Sequence, residues 1–222
     1  MNGSRPIRVP PGRAGILLLR RRLAVAEAGA ALLTRKLFVL GVEAERLDAR
    51  VRDTERSWHA AAATAQQLLD LAGRLGGDRA IRLAALPPET HLDVHCTTLM
   101  GLTYPEGVGC ELPPRPPDAM AAAGATLLLA ERAVREAVPA AARHAAGVQA
   151  ADTVRREVDL TRQRLRALQH HLIPALRETL ARQLRQVEEI EAADAVLRRW
   201  AVQRLPTGTD VRPRPKGLSP LS

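Results

Sequence analysis

Ile16, Leu19, Leu23, Ala26, Ala30, Leu33, Leu37, Leu40, Ala44, Leu47, Val51, Thr54, Trp58, Ala61, Ala65, Leu68, Ala72 and Leu75 come one after another at alternating steps of three and four residues. Only Thr54 among them is not apolar. With 46% hydrophobic residues in the chain, such a run arises by chance with a probability on the order of 10⁻⁵ in a fixed register. The pattern is the seam of a coiled coil about eight heptads long. At about 1.5 Å per residue the helix measures roughly 90 Å, well beyond the reach of a globular helix. Gly76-Gly77 lies directly after Leu75 and supplies a stop signal.

A second helical region begins after Pro113-Pro114-Arg115-Pro116-Pro117-Asp118, whose prolines enforce an extended entry and whose Asp118 is placed to cap a first turn. Its seam reads Val154, Val158, Thr161, Leu165, Leu168, Leu172, Leu176, Leu180, Leu184, Val187, Ile190 and Leu197. The spacing slips by one residue beside Pro174, where a stutter or mild kink is expected because proline removes an intrahelical bond. In an antiparallel pair the alanine-rich stretch Ala119–Ala151 lies opposite Ala60–Ala72, so the backbones approach closely there, and Trp58 is the bulky residue at that end.

Between the helices, Thr90–Met100 is rich in strand formers, and Gly101, Pro105, Gly107 and Gly109 punctuate the residues after it. A short β-hairpin or irregular head is expected. The expected organisation is a tail over 1–11, a first long helix over 12–75, a head over 76–118, a second long helix over 119–205 and a disordered tail over 206–222. The fold class is therefore all-α, a long antiparallel two-helix coiled-coil hairpin with a small head between its helices.

Composition agrees with a slender fold. Of 222 residues only Phe38, Trp58, Tyr104 and Trp200 are aromatic, too few for the core of a thick sandwich or barrel. Alanine and leucine, which suit thin helix-on-helix contacts, carry the apolar content instead. No uncharged apolar run approaches the ~20 residues of a bilayer span. Arg20-Arg21-Arg22 cuts short the apolar stretch Gly15–Leu19, so no signal peptide is expected. Cys96 and Cys110 make no disulfide framework and fit a reduced, cytosolic setting.

Few residues are arranged for chemistry. No glycine-rich phosphate loop is present, since Gly76-Gly77 ends a helix and Gly107-Val108-Gly109 has no helix behind it. His91, His95, Cys96 and Cys110 are the right types for zinc, but their spacing favours packed or solvated residues over a metal set. His170 and His171 are adjacent on a helix and point to different faces. Glu188, Glu189 and Glu191 read as a solvated helical face beside Arg182 and Arg185. No catalytic residue, cofactor or metal site is expected.

The net charge of +9, nearly all of it from arginine, permits an acidic partner. The basic residues gather where the two helices bring both termini together: Arg13, Arg20 to Arg22, Arg35, Lys36, Arg162, Arg164, Arg166, Arg177, Arg182, Arg185, Arg198, Arg199 and Arg204. The choice lies between a solvated basic coil and a basic shaft that turns against or docks on an acidic surface.

Three stretches resemble the D subunit of V-type and archaeal-type rotary ATPases. The first is Pro11-Gly12-Arg13-Ala14-Gly15-Ile16-Leu17-Leu18-Leu19-Arg20-Arg21-Arg22-Leu23 with Leu32-Leu33-Thr34-Arg35-Lys36-Leu37; the second is Leu99-Met100-Gly101-Leu102-Thr103-Tyr104-Pro105; the third is Arg166-Ala167-Leu168-Gln169 and then Ile173-Pro174-Ala175-Leu176. The likeness spans most of residues 10–205. Its most specific part is the Ile-Pro element, because a proline inside a helix costs roughly 3 kcal/mol and is foreign to a generic coiled coil. Arg166 and Gln169 depart from the family's Asn and Glu, and arginine replaces most of its lysines.

The resemblance implies a non-catalytic central rotor shaft on the cytoplasmic face of a membrane, peripheral and part of a complex. Its termini end stands inside the hexamer of catalytic A and B subunits, an F subunit binds beside it, and its other end meets a socket subunit on the membrane ring. Turning it couples ATP synthesis or hydrolysis to proton or sodium transport. The expected partner contacts are Arg198, Arg199, Arg204, Arg20 and Arg21 at the basic end, and Met100 and Gly101 in the head. The alternative is a free-standing basic coiled coil that binds nucleic acid or acts as a scaffold. Nearly absent aromatics and arginines spread around the helices weigh against nucleic acid, and the narrow apolar stripe, already used for pairing, weighs against direct membrane insertion.

Overall fold

A computed structural model describes residues 9–84, 90–114 and 124–204. Helix α1 spans Arg13–Ala84, strand β1 His91–Leu99, strand β2 Leu102–Glu111, helix α2 Ala125–Ala167 and helix α3 Ile173–Arg204, with a π-helical turn over Leu168–Leu172 joining α2 to α3. The fold is all-α with one small antiparallel hairpin, as the heptad pattern dictates. Within α1 the backbone leaves helical geometry at Gly77 (φ 73°, ψ 162°), a conformation that only glycine adopts freely, and then re-enters the helix. Asp118 lies outside the described residues. The observed start of α2 is capped by Gly124 with no side-chain hydrogen bond.

The chain divides into two units. In the larger, Glu27–His171, α1 and α2 run antiparallel. Lys36 Nζ meets Glu157 Oε1 at 2.7 Å, Arg155 reaches Asp48, and Thr54 Oγ1 lies 3.3 Å from His144 Nδ1. Leu40, Leu47, Ala150, Ala151, Val154 and Val158 form the core, with Tyr104 of β2 inserted among them. Leucines that bury fully contribute about 1.5–3 kcal/mol each. Every position of the α1 seam except Leu75 is buried or half-buried, in both units. The pairing register brings the alanine-rich parts of the two helices opposite each other, and Ala65, Ala72, Ala130, Ala133 and Ala140 are all buried. Trp58 finds its support in His144, on which it stacks at 5.2 Å between ring centroids.

The smaller unit pairs the start of α1, up to Ala26, with α3. Ile16, Leu19 and Ala26 are buried, as are Ile173 and Leu176, and Arg13 Nη2 donates to Glu191 Oε1 at 2.6 Å. The expected seam needs two corrections here. Leu172 is exposed while Ile173 is buried, because the wide π turn ahead of Pro174 takes up one extra residue and advances the phase of the helix. Ile190 and Leu197 are also exposed, at 53% and 65%: Leu197 lies beyond the level at which Arg13 starts α1, and Ile190 stands at that level, beside Glu191.

Candidate partner interfaces

The partner contacts expected from the sequence fall mainly in two places among the described residues. The first is the end of α3. Every side chain described from Glu188 to Gln203 is exposed. From Glu191, which marks the start of α1, the helix runs on to Arg204, an overhang of about 20 Å at 1.5 Å per residue. Leu197 and Trp200 continue along it the heptad spacing that Ile190 holds just before it, and Arg198 and Arg199 stand beside them, exposed. Arg199 folds its Nε back to the Ala195 carbonyl at 3.4 Å. Arg204 is the last helical residue. Arg20 and Arg21 are exposed on α1 of the same unit. The arrangement is a charged helical end with an apolar stripe and no fixed recognition geometry.

The second is the β-hairpin. The register runs from His91 opposite Glu111 to Leu99 opposite Leu102, with a shift between His95 and Cys96 that leaves Glu106 as the extra residue. The bulge sits beside Pro105, which has no N–H for a regular ladder. Met100 (φ 51°) and Gly101 (φ 79°) form the two-residue connection, and positive φ at both positions is what a type I′ turn requires. Both residues expected as contacts in the head therefore occupy the exposed turn, and Met100 is 41% exposed.

The hairpin is fastened to α1 by polar contacts. Tyr104 donates its hydroxyl to Glu43 Oε1 at 2.8 Å, and Arg46 grips the same carboxylate through Nε (2.8 Å) and Nη2 (2.6 Å). Arg50 Nη1 donates to the Glu106 carbonyl at 2.7 Å. The Arg46 hydrogen bonds hold the Glu43 carboxyl below its usual range despite its burial, with help from Tyr104. Burial, with the neighbouring carboxylate, pushes the Tyr104 hydroxyl up. On the seam, the Lys36 hydrogen bond lowers Glu157 against its burial. The Glu43–Arg46 pair sits at i,i+3 and is readable on a helix, whereas Tyr104 is met only through the fold.

The remaining candidates do not assemble. Cys96 pairs with Pro105 and Cys110 with Leu92, so the two thiols occupy separate rungs of the hairpin. Among the described residues no three His, Cys, Asp or Glu side chains come together as a metal site. His170 and His171 are exposed in the π turn. Arg182 pairs with Glu178, not with the Glu188–Glu191 cluster, and Glu191 serves Arg13. Among the described residues no helix is long and apolar enough to cross a membrane.

A search of curated proteins returned no match. The family model for the D subunit of ATP synthase, in contrast, matches residues 16–202, which takes in both helical units, the hairpin and the Ile173-Pro174 element with its π turn. On that match, and with the antiparallel helices and hairpin described above, the chain belongs to the ATP synthase D-subunit family, the stalk subunits of V/A-type rotary ATPases.

Proposed function

We propose that this chain is the central rotor shaft of its complex, transmitting torque between a catalytic hexamer of A and B subunits and a membrane ring, and so coupling ATP synthesis or hydrolysis to proton or sodium transport. The shaft contributes no catalytic group of its own and is peripheral on the cytoplasmic face. An F subunit binds alongside, and a socket subunit on the ring takes the other end, with Met100 and Gly101 as contacts. The observation that carries this reading is the α3 overhang, about 20 Å of exposed helix bearing Arg198 and Arg199 beside Leu197 and Trp200. A helix end of this kind, rigid along its axis yet with its arginines outside any fixed recognition geometry, suits a shaft that meets several equivalent surfaces in turn. Energy enters such a shaft as different contacts at each catalytic interface, which bias those interfaces into different states. Exposed ion pairs are worth only about 0.2–1 kcal/mol each, so contacts from Arg198, Arg199, Arg204, Arg20 and Arg21 break readily between positions.

The test has two arms. A tagged full chain should bring A, B and F subunits with it, and recovering none of them overturns the stalk reading. In the reconstituted complex, the double variant Arg198→Glu and Arg199→Glu should lower coupled turnover several-fold; unchanged coupling removes the arginines from the mechanism while leaving the stalk reading standing.

A further inference from the structure

The hairpin carries an edge that the fold leaves open. β1 pairs with β2 alone in a two-stranded sheet, while β2 packs along α2. Among the described residues no further backbone hydrogen bond reaches β1. All residues from His91 to Cys96 are exposed. Natural sheets guard such an edge with charged residues, lysine above all, with proline, with a bulge or by keeping the strand very short; here the extra residue of the bulge lies on β2, not on the edge strand, and Asp93 is the formally charged residue of β1. β1 is nine residues long and contains neither lysine nor proline.

The side chains on the two faces differ in kind. Leu92 opposite Cys110 and Val94 opposite Val108 make one face apolar, with Leu92 and Val94 56% and 49% exposed. His91, Asp93 and His95, with Glu111 across from His91, make the other face polar, and Asp93 lies 3.7 Å from His95. In a chain of net charge +9, no lysine or arginine occurs between Arg82 and Arg115, whereas the hairpin holds Asp93, Glu106 and Glu111. The hairpin itself carries no lysine or arginine; Arg46 and Arg50 of α1 meet it at Tyr104 and Glu106 of β2, away from the outer edge of β1. Asp93 is the formally charged residue of the edge strand and Glu111 lies on the same face one strand back, so charge complementarity favours a basic occupant over a second copy, which would bring a second Asp93 to the shared edge.

We propose that the outer edge of β1 receives an extended segment of a basic partner protein as a third strand. Main-chain hydrogen bonds to the open edge supply affinity, and the period-two alternation of a strand supplies selectivity. The segment places apolar side chains beside Leu92 and Val94 and lysine or arginine beside Asp93, with Glu111 one strand further across the same face.

The experiment uses the full chain and two synthetic octapeptides as probes, one alternating Arg and Val, the other alternating Glu and Val, with hydrogen exchange measured by mass spectrometry. The Arg-Val peptide should slow exchange within residues 91–99 and bind at least tenfold more tightly than the Glu-Val peptide, with the difference shrinking as salt rises. The double variant Asp93→Arg and Glu111→Arg should reverse the ranking, and Val94→Lys, at an exposed position, should abolish protection. Four results would overturn the proposal: no protection of β1, equal protection by both peptides, protection confined to another part of the chain, or protection of β1 by self-association without peptide. The wild-type comparison of the two peptides stands even where a variant fails to fold. It needs no other subunit, so its outcome is separate from that of the stalk reading.

Discussion

Tyr104→Phe isolates the contact that fastens the hairpin to α1. The hydroxyl donates at 2.8 Å to a carboxylate whose side chain is 13% exposed, and Tyr104 itself is 4% exposed, so water replaces the lost bond poorly. Hydrogen bonds to charged groups contribute about 1.5–3 kcal/mol. After the substitution Glu43 Oε1 still accepts from Arg46 at 2.6 Å and is not orphaned, which places the expected loss near the lower limit, about 1–1.5 kcal/mol. Glu43→Gln removes the charge that Arg46 grips and should cost somewhat more, about 2 kcal/mol. Because the two changes share one interaction, the double variant should fall short of additivity by about 1 kcal/mol. The pH dependence has a definite sign. Glu43 titrates lower in the fold than in the unfolded chain, so its contribution is present above the ordinary carboxylate pKa of about 4.3 and is lost as pH falls through the depressed folded value. Tyr104 titrates higher in the fold, so its contribution is present below about pH 10 and is lost as pH rises through the raised value. Urea unfolding monitored by circular dichroism at pH 3, 5, 7 and above 10, with exchange of the β2 amides as a local readout, measures all of this. A Tyr104→Phe protein that matches wild type within 0.3 kcal/mol, strict additivity of the two substitutions, or a wild-type advantage unchanged between pH 7 and pH 3 would refute the clamp.

Two further substitutions test local packing. Gly147 is buried in α2, and a Cβ added there meets Val51 Cγ2 at 3.7 Å and Thr54 Oγ1 at 3.8 Å, both ordinary contacts. Gly147→Ala should therefore raise stability by about 0.5–1 kcal/mol through helix propensity, read as a higher Tm, and a lower Tm would mean the helices approach too closely for a methyl group. Met100 holds φ 51° in the hairpin turn, where Asn is the favoured residue. Met100→Asn should stabilise the hairpin by up to about 1 kcal/mol, seen as slower exchange of β1 and β2 amides; faster exchange would show that the partly exposed methionine side chain matters more than its backbone strain.

The parts legible in the sequence are those with a local period. The α1 seam is such a case: each position is fixed by its neighbours three and four residues away, and the structure buries or half-buries all but Leu75. The slip beside Pro174 is visible too, but its resolution is not. Whether Leu172 or Ile173 faces inward depends on a π turn, which is a change of backbone geometry rather than of residue pattern. Leu197 keeps the heptad period with no facing helix among the described residues, because periodicity reports which face is apolar and says nothing of where the partner helix begins. Pro139 shows the converse, since α2 runs unbroken through it in an alanine-rich stretch whose propensity offsets part of its cost. Contacts between distant parts of the chain, Tyr104 with Glu43 and Trp58 with His144, leave no local signal beyond an isolated aromatic residue. Of the expected contacts, Arg198 and Arg199 are accessible to sequence reasoning as charge density, and Met100-Gly101 as a turn. The open edge of β1 is not, because an edge exists only once the partner strands are counted.

The two exposed regions call for different kinds of partner, and the difference arises from how each is held. The Arg198 and Arg199 side chains are long and exposed, and among the described residues no rigid bidentate acceptor fixes them, so a surface meeting them gains modest, salt-screened attraction that changes little as the contact slides. The hairpin is pinned instead. Tyr104 is buried in the seam core, Arg46 and Tyr104 share the Glu43 carboxylate, and Arg50 holds the Glu106 carbonyl at the bulge. A partner strand on β1 would add hydrogen bonds whose register is set by the pleat, and a shift of one residue would exchange its apolar and charged faces. Under the proposed rotor function, diffuse charge on an exposed helix end suits contacts that are remade at each step. On the same proposal, a register-locked edge on a clamped hairpin suits a partner that stays bound throughout.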